Sequence, residues 1–270
     1  MKPTVSIVIP TRNSSQTIEG CLSAIQNQSY QNIETIIVDS KSTDDTIKIA
    51  AARGCKVIST DWKLLGARYL GCKAASGELV LMLDSDQILL EDAVERSLPI
   101  LEDYDMLCLG ETSYTRNTLI QKLFEADRRL IHEEEDIQLH PIHGTLLARF
   151  YKRTLLDSAF QAIPKQLLPM VVAHDHAIIY YEAWRLSDKV KILPNAVYHN
   201  EPATVLALWK KNFRYGRSTK SLIGNGYYNE LIRSKTRIRK TVTRKITRDK
   251  LLSSLLLSLK APAYLLGLYA

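Results

Sequence analysis

Acidic residues at the ends of apolar runs are the first candidates for chemistry in this chain. Asp84-Ser85-Asp86 directly follows Leu79-Val80-Leu81-Met82-Leu83. Two carboxylates two residues apart can face one bound group once a strand turns. Their hard oxygens suit Mn²⁺ or Mg²⁺, ions that also hold substrate phosphates. The plain alternative is a solvated turn, or a cap for a helix beginning near Glu91. Asp39 ends a second strand, Ile33 to Val38. Its carboxylate can accept an N–H from a base edge or close an Asx turn. Asp175, in Ala173-His174-Asp175-His176, stands before a helical pattern. It can remove a proton from an attacking hydroxyl or cap the helix.

Other side chains could complete such a site. His199 follows a short strand and is either a metal ligand or a polar residue packed beside Tyr198. Arg214 and Arg217 are three apart on an amphipathic helix, so they share a face. Guanidinium groups there can brace a diphosphate, or simply be solvated. His174 and His176 raise the thought of zinc, but no Cys or regular His spacing completes four ligands.

The elements that must position these residues read as a repeating series. Val5 to Pro10, Ile33 to Val38, Lys56 to Ser59 and Leu79 to Leu83 have the length and composition of buried strands. Helical patterns alternate with them, from Ser15 to about Gln28, from Thr43 to near Gly54, and from Leu64 to Ser76. This β-α-β-α-β-α-β order predicts an α/β fold, Rossmann-like, with a mostly parallel sheet and helices on both faces. Ligands in such folds sit outside the carboxyl ends of the strands. Thr11-Arg12-Asn13, Asp39 and Asp84-Ser85-Asp86 all fall there. Beyond residue 105 the pattern loosens: strands at Asp105–Leu109, Gly144–Ala148 and Val190–Leu193, helices at Thr118–Ile131, Asp175–Ser187 and Ala203–Leu222, and an acidic irregular stretch from His132 to His140.

At 270 residues and 46% hydrophobic, the chain can bury a large core. Its +7 net charge is local, because Arg233 to Lys250 holds nine Lys or Arg against Asp249 alone and accounts for +8. The rest is nearly neutral and needs no polyanion partner. The basic run lacks interleaved aromatics, which argues against a nucleic-acid partner. The predicted organisation is a catalytic domain over 1–225, in halves 1–110 and 111–225, and a helical C-terminal segment over 226–270. In that segment Leu251, Leu252, Leu255, Leu256 and Leu259 share one helical face behind the basic run. This predicts an interfacial helix on an anionic membrane surface through residues 233–270, or else leucines packed on the domain. Lys260 and Pro262 argue against a span. Four scattered cysteines without C-x-x-C spacing, and an N-terminal apolar run too short for a signal peptide, predict a reduced, cytoplasmic location on the inner face of the membrane.

Several of these pieces, taken in order, resemble glycosyltransferase family 2. Val8-Ile9-Pro10-Thr11-Arg12-Asn13 resembles its opening V-I-P-x-x-N, and Val38-Asp39-Ser40-Lys41-Ser42-Thr43-Asp44-Asp45-Thr46 its V-D-D-G-S-T-D-x-T turn. Gly66-Ala67-Arg68-Tyr69-Leu70-Gly71 resembles G-x-A-R-N-x-G, and Ala75-Ser76-Gly77-Glu78 leads to Leu83-Asp84-Ser85-Asp86 as in A-x-G-E followed by L-D-x-D. The resemblance implies a GT-A fold, a nucleoside-diphosphate sugar donor with UDP favoured, and Mn²⁺ or Mg²⁺. It implies that Asp39 meets the base and that Pro10, Thr11, Arg12, Asn13, Arg68 and Ser85 line the nucleotide. Asp84 would touch ribose or metal, and Asp86 would bind the metal. Asp175 matches the family's catalytic base, with His174 where Glu is common, and Arg214-Tyr215-Gly216-Arg217 loosely resembles Q-x-x-R-W. The expected reaction is inverting transfer of one sugar to a glycan or lipid-linked acceptor. A sugar-phosphate nucleotidyltransferase is the rival enzyme, but Pro10 to Ser15 lacks the glycines of a triphosphate loop. A nucleic-acid-binding module using the basic run is the rival of another class.

Overall fold

A computed structural model describes residues 2–132, 139–236 and 247–270. Eight strands form one sheet in the order β3-β2-β1-β4-β7-β6-β8-β5. The first half follows the predicted alternation: β1 (Val5–Thr11), α1 (Ile18–Gln26), β2 (Ile33–Asp39), α2 (Thr46–Ala52), β3 (Lys56–Ser59), α3 (Leu64–Ala74) and β4 (Leu79–Met82). These four strands are parallel. β1 does not stop at Pro10 as expected. The carbonyl of Val8 accepts from Leu83 N on the β4 side, and that of Thr11 from Ser40 N on the β2 side. Pro10 therefore faces the β4 side, where pairing has ended at Val8–Met82, and its missing N–H costs no ladder bond.

The second half comprises β5 (Gln87–Leu89), α4 (Ala93–Asp103), β6 (Met106–Ser113), α5 (Leu119–His132), β7 (Ala148–Lys152), α6 (Arg153–Ala162), α7 (Asp175–Trp184) and β8 (Val190–His199). Two strands differ from expectation. The strand expected at 144–148 lies at 148–152, pairing antiparallel with β4 and β6, and Arg149 within it breaks the apolar pattern that would have marked it. β8 does not end at Leu193. Asn195 takes φ 49° beside Pro194, and the β6–β8 register shifts between Leu109 and Glu111. This bulge accommodates the proline and carries the strand on to His199, which pairs with Gln87 of β5. Residues 133–138 of the acidic stretch lie outside the described residues.

One core layer lies on each side of the sheet. One joins β-strand residues such as Val8, Val38 and Met82 to α3, α6 and α7. The other joins Ile7, Ile9 and Leu81 to α1 and α4. Helix α9 (Asn229–Thr236) buries Leu231 and Ile232 in the first layer, so packing does not separate it from the body at residue 226. At Gly71 a Cβ would collide with the Val8 side chain, which is why α3 can lie so close to β1.

Helix α8 (Val205–Gly224) and helix α10 (Arg248–Tyr269) cross at paired glycines. A Cβ on Gly216 would strike the Tyr264 carbonyl, and one on Gly267 the Phe213 carbonyl. A small satellite core of Ile120, Leu123, Leu208 and Leu256 joins α5, α8 and α10. The inward face of α10 is Ser253, Leu256, Ala263 and Gly267. The expected single leucine face is thus divided: Leu256 is buried, while Leu251 and Leu255 are exposed. Pro262 sits inside an unbroken helix, and Lys260 lies 4.2 Å over the Phe124 ring. By length and composition α10 could cross a membrane. Residues 237–246 of the basic run lie outside the described residues.

The glycine crossing is testable. Gly267→Val should cost about 1–3 kcal/mol through overpacking. The expected reading is a lower Tm and faster proteolysis of the C-terminal helix, and an unchanged Tm would contradict docking of α10 on α8.

Candidate active site

The turns that end β1, β2 and β4 meet at one end of the parallel strands. Asp39 is fully buried. It accepts from Thr11 Oγ1 at 2.9 Å, Ser42 N at 2.8 Å and Ser42 Oγ at 2.5 Å, so it both closes a turn and ties β1 to β2. Asn13 adopts φ 52°, a region Asn tolerates. Its N–H donates to Ser42 Oγ and its side chain accepts from Thr43 N, each at 2.8 Å. Ser85 Oγ donates to Ser14 Oγ at 3.0 Å. Pro10, Thr11, Arg12, Asn13, Asp39 and Ser85 are therefore brought together at the carboxyl ends of the strands, with Arg12 exposed.

Beside them lies a buried ion network. Arg68, on α3, has no exposed surface. Its Nε donates to Asp175 Oδ2 at 2.6 Å, and its Nη2 donates to Asp84. Arg68 thus ties two carboxylates of the site together. Arg149, on β7, donates to the other oxygen of Asp84 at 2.8 Å and lies 3.6 Å from Glu111. Arg128, on α5, is shared between Glu111 and Glu201. Burial would raise Asp84, but Arg68 and Arg149 hold it well below the usual carboxylate range. Glu111 follows the same pattern: Arg128 and Arg149 outweigh burial and bring it to about 2.

Asp175 is the first residue of α7, not its cap; the cap position is His174, at φ 67°. The Asp175 side chain is 10% exposed. Among the described residues only Oδ2 takes a hydrogen bond, which leaves Oδ1 for another proton. His174 contacts Thr219 and His176 contacts Arg149, so the two histidines face different partners.

Asp86 faces a different set. His199 Nε2 lies 3.5 Å from Asp86 Oδ1, and Lys211 Nζ, on α8, 4.0 Å from Asp86 Oδ2. Asn200 N donates to the Asp86 carbonyl at 2.8 Å. Burial would lower His199, but Asp86 and Glu201 raise it above the ordinary histidine value. Among the described residues no three His, Cys, Asp or Glu side chains form a closed metal cage. A hard divalent ion that keeps waters and substrate phosphates needs only one or two protein ligands, and Asp86 with His199 meets that requirement. Both Asp84 oxygens are committed to guanidinium groups, so Asp84 fits a supporting role better than a ligand role.

Arg214 and Arg217 are both exposed; the cation of α8 that reaches the site is Lys211. Arg149, Arg128, Glu111, Glu201 and Lys211 were not legible as site residues. The only available signal was charge within otherwise apolar strand or helix patterns, at Arg149 above all.

A family model described as Glycosyl transferase family 2 matches residues 6–157, more than half of the sequence. The chain belongs to glycosyl transferase family 2. The match spans Asp39, Arg68, Asp84, Asp86, Glu111, Arg128 and Arg149, while Asp175, His199 and Lys211 lie beyond it. One family relative is the Escherichia coli UDP-Glc:alpha-D-GlcNAc-diphosphoundecaprenol beta-1,3-glucosyltransferase WfgD. It is 27% identical over 137 residues, covering 48% of this chain and 54% of that one. Three other bacterial glycosyltransferases are 31–34% identical, with the match spanning 35–41% of their lengths. The fold resembles Staphylococcus aureus TarS 1-349 in complex with UDP-GlcNAc, with TM-score 0.59 and 16% identity over 97% of this chain and 81% of that one. It also resembles the Pyrobaculum calidifontis mannosyltransferase PcManGT in complex with GDP-Man and Mn²⁺, with TM-score 0.60 and 17% identity over 97% and 74%. The sheet and helices are thus those of the GT-A fold.

The buried network carries a pH signature. Burial, then Arg149 and Arg68, lower His176 from 6.5 to about 4. A histidine that binds its proton less readily when folded stabilises the fold above the unfolded pKa, and that stability drains as pH falls from 6.5 towards 4. His176→Gln should flatten this segment of the stability–pH curve, measured by urea unfolding. Identical slopes in both proteins would mean that His176 is not held neutral.

Proposed function

We propose that the chain is an inverting glycosyltransferase that moves one sugar from a nucleoside-diphosphate sugar, UDP-sugar first, to an acceptor hydroxyl. The observation that carries this is the bridge Asp175–Arg68–Asp84, which sets a carboxylate with an open oxygen next to the strand-end turn bearing Asp86. The relative WfgD names a UDP-Glc donor and a diphosphoundecaprenol-linked acceptor, and the structural neighbours hold UDP-GlcNAc in one case and GDP-Man with Mn²⁺ in the other.

In this reading the strand-end residues Pro10 to Asn13, Asp39 and Ser85 take the nucleotide, with Asp39 towards the base. Asp86 and His199 would hold a divalent ion, whose chemistry there is charge stabilisation of the departing diphosphate. The imidazole in that pair favours Mn²⁺ over Mg²⁺, which prefers an all-oxygen shell. Lys211, beside Asp86, supplies a fixed positive charge to the same phosphates, the role the sequence suggested for Arg214 and Arg217. Asp175 Oδ1 accepts the proton of the acceptor hydroxyl as its oxygen attacks, while Arg68, bonded to Oδ2, orients the carboxylate. Asp175→Asn should keep UDP-sugar binding but lower transfer by about 10²–10⁴-fold. A radiolabelled-sugar transfer assay reads this, and near-normal turnover would remove Asp175 from the base role.

The outer face of α10 supports a membrane-surface position. Leu251, Leu255, Leu265, Leu266 and Tyr269 are exposed there, and the basic residues from Arg233 to Lys250 precede or begin that helix. Apolar insertion plus attraction to anionic headgroups is the mode of an interfacial helix. Cys21, Cys55 and Cys72 are free thiols, which suits the reducing, cytoplasmic face. Pelleting with anionic vesicles should fall several-fold in Leu251→Glu/Leu255→Glu/Leu265→Glu and in high salt. Retention through high salt and carbonate would instead favour a spanning helix.

A further inference from the structure

The geometry points to Glu201 as a positioning residue that sets His199 for metal binding, with Arg128 holding Glu201 in place. This rests on the reading that Asp86 and His199 hold the ion.

His199 ends β8 and is 7% exposed. Its two ring nitrogens face two carboxylates. Nε2 lies 3.5 Å from Asp86 Oδ1, and Nδ1 lies 3.0 Å from Glu201 Oε1. The Nδ1–H direction is off line in this rotamer, and no other partner reaches Nδ1 among the described residues; a small ring rotation aligns it with Glu201. A neutral imidazole carries one proton, and the partner of one nitrogen decides what the other presents. With Glu201 holding the proton on Nδ1, Nε2 turns its lone pair towards Asp86, where an ion would sit. Without Glu201, Asp86 would draw the proton onto Nε2 and close that nitrogen to a cation.

Glu201 is built for this task. Its side chain is 1% exposed, and Oε1 accepts from Arg128 Nε at 2.6 Å and from Nη2. Arg128 already has a carboxylate partner in Glu111, which also accepts from Gln87 Nε2 at 2.9 Å. A purely structural ion pair would be complete as Arg128–Glu111. The second buried carboxylate adds desolvation cost, and its other close neighbour is the His199 ring. A carboxylate behind a ligating histidine orients the ring and raises its basicity, and its loss typically weakens metal binding 10–100-fold.

The test is Mn²⁺ titration, with the free ion read by electron paramagnetic resonance, on wild type, Asp86→Ala, His199→Ala, Glu201→Gln and the double variant His199→Ala/Glu201→Gln. Glu201→Gln should bind Mn²⁺ about 10–100-fold more weakly, measured where circular dichroism shows the variant folded. The double variant should bind as His199→Ala does, because Glu201 acts only through that ring. Unchanged affinity in Glu201→Gln, or further weakening in the double variant, overturns the inference. If Asp86→Ala binds Mn²⁺ like wild type, the metal reading itself fails. Nitrogen-15 shifts of His199 in the wild type give an answer that depends on no variant. Neutral His199 should carry its proton on Nδ1, and the opposite tautomer would sink the proposal.

Discussion

Everything at the site leans on one fully buried cation. Arg68 has no exposed surface, and a guanidinium there without partners would be prohibitively costly. Its two partners come from far apart in the chain, Asp84 after β4 and Asp175 at the start of α7. The charge that must be neutralised thereby fixes the relation between the two halves of the fold. Losing one partner would leave a buried charge uncompensated, a loss of about 3–5 kcal/mol in comparable pairs. From Asp84 the alternation of charge continues through Arg149, Glu111 and Arg128 to Glu201. Because each member answers the one before it, rotation of any one disturbs the next.

The first ninety residues were legible because each element there obeys a local rule. Strands β1, β2 and β4 are short and largely apolar, their ends carry polar turns, and parallel topology forces those turns to one end. That logic placed Asp39, Asp84 and Asp86 at one end of the sheet, where the structure has them. The later half follows rules that depend on distant partners. β7 is interrupted by Arg149, whose charge makes sense only beside Asp84. β8 passes a proline because a bulge at Asn195 lets it, and nothing near Pro194 in sequence announces that bulge. With the strand read as finished at Leu193, the pairing of His199 with Gln87 of β5 was not legible.

The same dependence explains the misplaced cations on α8. Arg214 and Arg217 share a face, as spacing required, but which face turns inward is chosen by packing against α10. Periodicity identifies a stripe and is silent on its neighbour. Leu256 and the small residues of α10 settle that choice, and they turn Lys211 towards Asp86 instead.

The crossing of α8 and α10 has a mechanical corollary. At Gly216 and Gly267 the helices meet backbone to backbone, with no side chain between them to deform. The leucines packed elsewhere between these helices can change rotamer, but the crossing point itself has none to change. Lys211 lies about one and a half turns from Gly216 along the same helix, so a shift of the C-terminal helix at the crossing is passed along α8 towards Lys211 and Asp86. The twenty-two residues of α10, rich in exposed leucine, thus serve as a strut laid along the helix that carries Lys211.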